Sequence, residues 1–148
     1  MKKLRVGVVG CGSIAKHRHL PEYHANPNVE IVALCDVVLE RAELAVETFG
    51  GKAYESYQEM IDREELDVVS VCTPNYLHAP VSIYASKAGA HVLCEKPMAT
   101  SKEEADEMIA AAKASGKKLM IAHNQRFVPS HQKAKQLIES GEVGKIYS

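Results

Sequence analysis

The sequence predicts an α/β protein built on a doubly wound, mainly parallel sheet. Three observations predict it. Short apolar runs alternate with stretches of helical periodicity along the whole chain, the pattern of parallel strands joined by covering helices. The turn Gly10-Cys11-Gly12-Ser13-Ile14-Ala15 follows directly on the apolar run Leu4 to Val9. A lone acid, Asp36, ends the next apolar run, 21 residues beyond Ala15.

Leu4 to Val9 reads as the first strand, and helical sequence begins near Ser13. Val29 to Cys35 is the second strand. Leu39, Ala42, Val46 and Phe49 recur at helical spacing and stop at Gly50-Gly51, because glycine readily adopts the backbone that ends a helix. Asp67 to Cys72 reads as a buried strand, followed by a turn at Thr73-Pro74-Asn75 and a short helix to Ala88. His91 to Cys94 is the next strand. Ser101-x-x-Glu104 is a capping box; it opens a helix whose Ala105, Met108, Ile109 and Ala112 face inward and which stops at Gly116. Lys118 to Ala122 gives a further strand, and Ala134, Leu137 and Ile138 mark a last helix ending at Gly141. Gly144 to Ser148 reads as the opening of one more strand.

At 148 residues the chain suits a single domain that buries roughly two thirds of its unfolded surface. Its 18 basic and 19 acidic residues leave a net charge of −1, which argues against nucleic acid or an anionic membrane as the main partner. No apolar run approaches the roughly 18 residues that span a bilayer, and the N-terminus enters a strand instead of a secretory segment; the expected location is the cytoplasm. Cys11, Cys35, Cys72 and Cys94 show no C-x-x-C spacing and are expected as buried free thiols, with no metal site. His17 and His19, two apart on a helix, point to different faces and make a poor ligand pair.

The glycine turn in this setting predicts a dinucleotide site. Pyrophosphate oxygens need backbone N–H groups at a helix N-terminus, here around Ser13 and Ile14, and a side chain on Gly10 or Gly12 would hold the phosphates away. Ala15 still lets the helix lie close on the strand. Asp36, at a strand's carboxyl end, can accept hydrogen bonds from ribose hydroxyls. A 2′-phosphate there would meet repulsion of up to about 4 kcal/mol, for unit charges at 4 Å in an effective dielectric near 20. NAD is therefore favoured over NADP, with Arg41 softening the preference.

Ligands of open α/β sheets bind outside the carboxyl ends of the strands, where three loops carry polar groups. Thr73-Pro74-Asn75 leads to His78; Glu95-Lys96-Pro97 follows the next strand; His123-Asn124-Gln125-Arg126-Phe127 follows the one after. Each has a plain reading: Asn75 an N-cap, His78 a satisfied helix-start histidine, Glu95 and Lys96 a solvated pair, Arg126 a surface cation. Lys96 is the candidate for chemistry. Oxidising an alcohol with a nicotinamide requires the O–H proton to leave as hydride moves, and a lysine partly desolvated beside a cationic ring has its pKa pushed down. Pro97 stiffens the turn and admits a cis bond.

Gly10-x-Gly12-x-x-Ala15, Cys35-Asp36, Thr73-Pro74-Asn75-x-x-His78, Glu95-Lys96-Pro97 and Asn124-Gln125-Arg126-Phe127 together resemble the glucose-fructose oxidoreductase, inositol dehydrogenase and rhizopine-catabolism family (Gfo/Idh/MocA). The resemblance covers the whole chain. It implies a Rossmann domain over residues 1–140 that binds NAD or NADP, with Lys96 at nicotinamide and substrate and the Thr73 and Glu95 loops lining the cofactor. It also implies that residues 141–148 begin the crossing to a C-terminal substrate domain that this chain lacks. The expected parent is a homo-oligomeric oxidoreductase acting on a secondary alcohol of a sugar, inositol or related polyol, and the chain alone is expected to bind cofactor without turnover. A non-catalytic NAD-responsive module, or a reductase of C=N or C=C bonds, are the alternatives.

Overall fold

The computed structural model describes residues 2–147. Strands β1 (Leu4–Val9), β2 (Val29–Cys35), β3 (Lys52–Tyr54), β4 (Val68–Val71), β5 (His91–Cys94) and β6 (Leu119–Ile121) form one sheet in the order β3-β2-β1-β4-β5-β6. Every pairing is parallel. The helices are α1 (Leu20–Ala25), entered through a π-helical turn at Ala15–His19, then α2 (Leu39–Phe49), α3 (Tyr57–Arg63), α4 (His78–Lys87), α5 (Lys102–Ser115) and α6 (Pro129–Glu139). Strand order reverses between β1 and β4, so the loops leaving those two strands diverge and open a crevice.

Period-two alternation divides the core between the two faces of the sheet. Val6 and Val8 pack with Ala15, Leu20, Leu34 and Ala42 on the α1 and α2 side. Val9, Val69, Val71, Val92 and Cys94 pack with Met60, Val81 and Met108 on the other. Each buried valine contributes about 1.5–3 kcal/mol of transfer free energy. Because Val69, Val71, Val92 and Cys94 face one way, the residues between and after them, Ser70, Leu93 and Glu95, face the α1 side.

The doubly wound parallel sheet is the predicted one, with local differences. β3 and α3 were not expected, because three residues are too few to show a period. Their sequence signal is Ser56-x-x-Glu59, whose Ser56 Oγ accepts a hydrogen bond from the Glu59 N–H at 3.3 Å. In the Ser101 box the hydroxyl accepts from Glu104 N–H at 3.1 Å, but Glu104 reaches back to Thr100, N–H and hydroxyl both, at 2.9 and 2.7 Å. Ile109 is not inward but 41% exposed, and Ala111 is buried in its place. Helix α6 forms where expected and is followed by Gly141 at φ +78°, yet none of its residues is buried: Leu137 is half-covered and Ile138 is exposed. Residues 144–147 form no strand; Ser148 lies outside the described residues. All four cysteines are free and buried. Among the described residues, no helix is long and apolar enough to cross a membrane.

Candidate functional site

The two glycines of the turn have different causes. Gly10 takes φ +93°, and a Cβ on it would stand 2.6 Å from the carbonyl oxygen of Cys72. Its lack of a side chain is thus required by the backbone leaving β4, whatever binds at the turn. At Gly12 a Cβ would meet nothing within 4 Å, so the fold itself leaves room for a side chain there. The first helical bond runs from Lys16 N–H to Gly12 C=O at 3.0 Å, so the N–H groups of residues 12–15 precede the ladder and stand unpaired at the positive end of the helix. Ser13 and Ile14 are among them. Ala15 is fully buried and lets the helix lie against β1.

Asp36 closes one side of this loop. Its carboxylate is almost covered, 9% exposed; Oδ2 accepts from Cys11 N–H and Oδ1 from Val38 N–H, each at 3.0 Å. Arg41 Nη1 stands 3.8 Å from Oδ1. Each oxygen keeps acceptor capacity for a ribose hydroxyl. The cleft beside it, about 120 Å³, is bordered by Asp36, Arg41, Glu55, Thr73, Pro74 and Leu77. Thr73 Oγ1 is buried there with no protein partner. Glu55 is a residue the sequence reading missed; it follows β3, and a strand that goes unrecognised hides the loop at its end.

His78 is 1% exposed, with Nδ1 2.6 Å from the Pro97 carbonyl and Nε2 3.0 Å from that of Thr73. Both ring nitrogens are engaged by backbone carbonyls, the plain reading of a satisfied helix-start histidine, and His78 ties the Thr73 loop to the Lys96 loop. Asn75 is no N-cap. It opens a 3₁₀ turn, Asn75–Leu77, and no side chain caps α4.

The Lys96–Pro97 peptide is cis. Lys96 is exposed, so the chain itself does not desolvate its ammonium, and Glu95 is not its solvated partner. Glu95 is instead buried at 8% exposure, with Oε1 2.9 Å from His19 Nε2 and Oε2 accepting from the Lys96 backbone N–H at 3.2 Å. His19 Nδ1 lies 2.9 Å from Ser70 Oγ. A second cleft, about 240 Å³, opens on this side of the glycine loop, bordered by Ile14, Arg18, His19, Tyr23, Glu95 and Asn124. Arg126 lies apart from it, in a groove with His131 and Lys135 of α6. Gly10, Asp36, Arg41, Thr73 and Pro74 thus line one cleft and Ile14, Glu95 and Asn124 the other, while Gly12, Ser13, Ala15, Asn75, His78, Lys96 and Arg126 line neither.

Residues 4–123 match the family model described as "Oxidoreductase family, NAD-binding Rossmann fold", GFO_IDH_MocA. The chain belongs to this family. It is similar to D-glucoside 3-dehydrogenase of Escherichia coli (strain K12), at 37% identity over 145 residues, 97% of this chain and 41% of that protein. Among solved structures it is similar to the WlbA dehydrogenase from Bordetella pertussis in complex with NADH and UDP-GlcNAcA, with TM-score 0.91, 33% identity, and 99% and 45% of the two chains covered. The 3-ketoreductase KijD10 from Actinomadura kijaniata, in complex with NADP, gives TM-score 0.89 at 36% identity over 98% and 46%. The chain therefore spans less than half the length of these relatives. It carries that family's NAD-binding Rossmann fold, and its residues fit a nicotinamide dinucleotide: unpaired amides at 12–15, open space at Gly12, and an unpartnered hydroxyl at Thr73.

Proposed function

We propose that this chain is the cofactor-binding part of an enzyme that transfers a hydride between a nicotinamide and a secondary alcohol carbon of a sugar, inositol or related polyol. One observation carries the reading: the loop whose amides at 12–15 are unpaired lines a cleft with Asp36 through Gly10 and a cleft with Glu95, the residue before Lys96, through Ile14. Gly12, Ser13, Ile14 and Ala15 would take the pyrophosphate, Asp36 and the Thr73-Pro74 loop the adenosine half, and Glu95 and Asn124 the side toward the nicotinamide. The nicotinamide, when bound, supplies the hydride acceptor or donor. Lys96 Nζ holds or removes the hydroxyl proton, and its exposure leaves it open to a substrate.

NAD is the preferred form, because Asp36 and Glu55 border the ribose cleft against the single cation Arg41, and two carboxylates oppose a 2′-phosphate more than one. In this reading residues 1–140 are the dinucleotide domain and 141–148 lead toward a substrate domain of a homo-oligomeric, cytoplasmic parent, with neither nucleic acid nor membrane as partner. Free buried thiols agree with a reducing compartment. The test is NADH titration of the chain together with turnover of the parent on polyols. Binding by the chain, and a loss of parent turnover in Lys96→Ala at unchanged NADH affinity, is the expected result; undiminished turnover without the amine overturns the role of Lys96.

A further inference from the structure

We propose that His19 and Glu95 are a positioning pair that sets where the Lys96 loop stands relative to the glycine loop. The proposal rests on the reading above, in which the nicotinamide half of the cofactor lies beside the Lys96 loop.

The two residues are 76 positions apart, yet their side chains meet at 2.9 Å. His19 ends the π-helical turn that begins at Ala15, directly after the amides proposed for the pyrophosphate. Glu95 immediately precedes Lys96. A π-helical turn rotates the residues after it relative to a regular helix, and such turns gather at functional sites; here Lys16, His17 and Arg18 stay outside the core while His19 is turned in to 8% exposure. On the sheet side, alternation along β4 and β5 puts Ser70 and Glu95 on the face that His19 meets. One tautomer of the ring serves both contacts, with Nε2–H donating to Glu95 Oε1 and Nδ1 accepting from the Ser70 hydroxyl. Glu95 Oε2 then accepts the backbone N–H of Lys96. One line of bonds therefore runs from β4 through the start of the first helix to the backbone of Lys96.

A carboxylate this covered needs a partner, since an uncompensated buried charge is among the costliest of defects. The partner used belongs to the element that carries the glycine loop. Movement of either loop alone would break the pair, so the two halves of the proposed cofactor site are held at one spacing.

The test separates positioning from simple bracing. The chain and its His19→Ala, His19→Gln and Glu95→Gln variants are titrated with NADH and with ADP-ribose, which lacks the nicotinamide. We expect His19→Ala to weaken NADH at least tenfold and ADP-ribose less than twofold, and His19→Gln, which restores an N–H donor, to recover most of the loss. Should His19→Ala fail to fold by circular dichroism, Glu95→Gln, which keeps side-chain volume, carries the same expected split. Equal losses for both ligands, or none, overturn the positioning pair while leaving the cofactor domain standing. An unsubstituted chain that binds neither ligand overturns both.

Discussion

The carbonyl oxygen of Cys72 lies 2.6 Å from where a side chain on Gly10 would begin, while a side chain begun at Gly12 would meet no atom within 4 Å. Two glycines of one turn are thus under different constraints: the fold requires the first, and it leaves the second free for the proposed pyrophosphate to require. Substitution should separate them. Gly10→Ala is expected to cost about 2 kcal/mol or more, from the positive φ and the clash, read as a lower midpoint in urea. Gly12→Val should unfold at nearly the unsubstituted midpoint and lose NADH binding at least tenfold. Equal destabilisation by both would refute the division.

Glu55 borders the cleft of Asp36 without bracing the glycine loop, so it can be neutralised without disturbing the turn. Glu55→Gln should raise NADP affinity about threefold, from repulsion across a solvated cleft, and leave NAD affinity within a factor of two. Calorimetric titration with both dinucleotides at low salt reads the ratio directly.

Glu64 gathers Lys52 Nζ at 2.8 Å and Tyr54 OH at 2.7 Å, tying edge strand β3 to the end of α3. Those two hydrogen bonds, the lysine's first, hold its carboxyl below the usual glutamate range. A carboxyl lowered in the folded state adds stability above its unfolded pKa of about 4.3 and loses it as pH falls through the folded value. Glu64→Gln should therefore be less stable than the unsubstituted chain at pH 6, with the gap narrowing as pH drops below about 4. Urea melts at pH 6 and pH 3 measure it; a gap that widens in acid contradicts the assignment.

Burial pushes the Cys11, Cys35 and Cys72 thiols up to about 12 and Cys94 up to about 11. Thiolate is the reacting species, so at pH 8 none of the four should react with a disulfide reagent within minutes, and all four should react in denaturant. A rapid native equivalent would place one of them at the surface.

How far the sequence discloses this molecule depends on the length of each pattern. The strand at Leu4 to Val9, the glycine turn and the acid at Asp36 stand out because their spacing is long and their residue types are restricted. β3 is too short for a period, and with it go Glu55 and the Glu64 tie. The role of His19 escapes a reading by helix face because the turn at Ala15–His19 is π-helical, and a period of 3.6 no longer tells which residue turns inward. Its partner was nevertheless accessible: Ser70 interrupts an apolar strand and Glu95 continues the alternation of β5, so two polar groups on one buried face called for a third. Ile109 shows the converse error, an apolar side chain assigned inward by spacing while the smaller Ala111 is the one buried.

The double grip of Asp36 on Cys11 and Val38 has a bearing on ancestry. One side chain both shapes the turn and, in the proposed reading, faces the ribose, so under that reading a descendant drifting toward the phosphorylated coenzyme has no free first step. Discarding the acid unlatches the turn before any new preference is gained. The open route is to recruit a substitute acceptor for the Cys11 amide first, and lineages that changed coenzyme should carry that substitute as a scar.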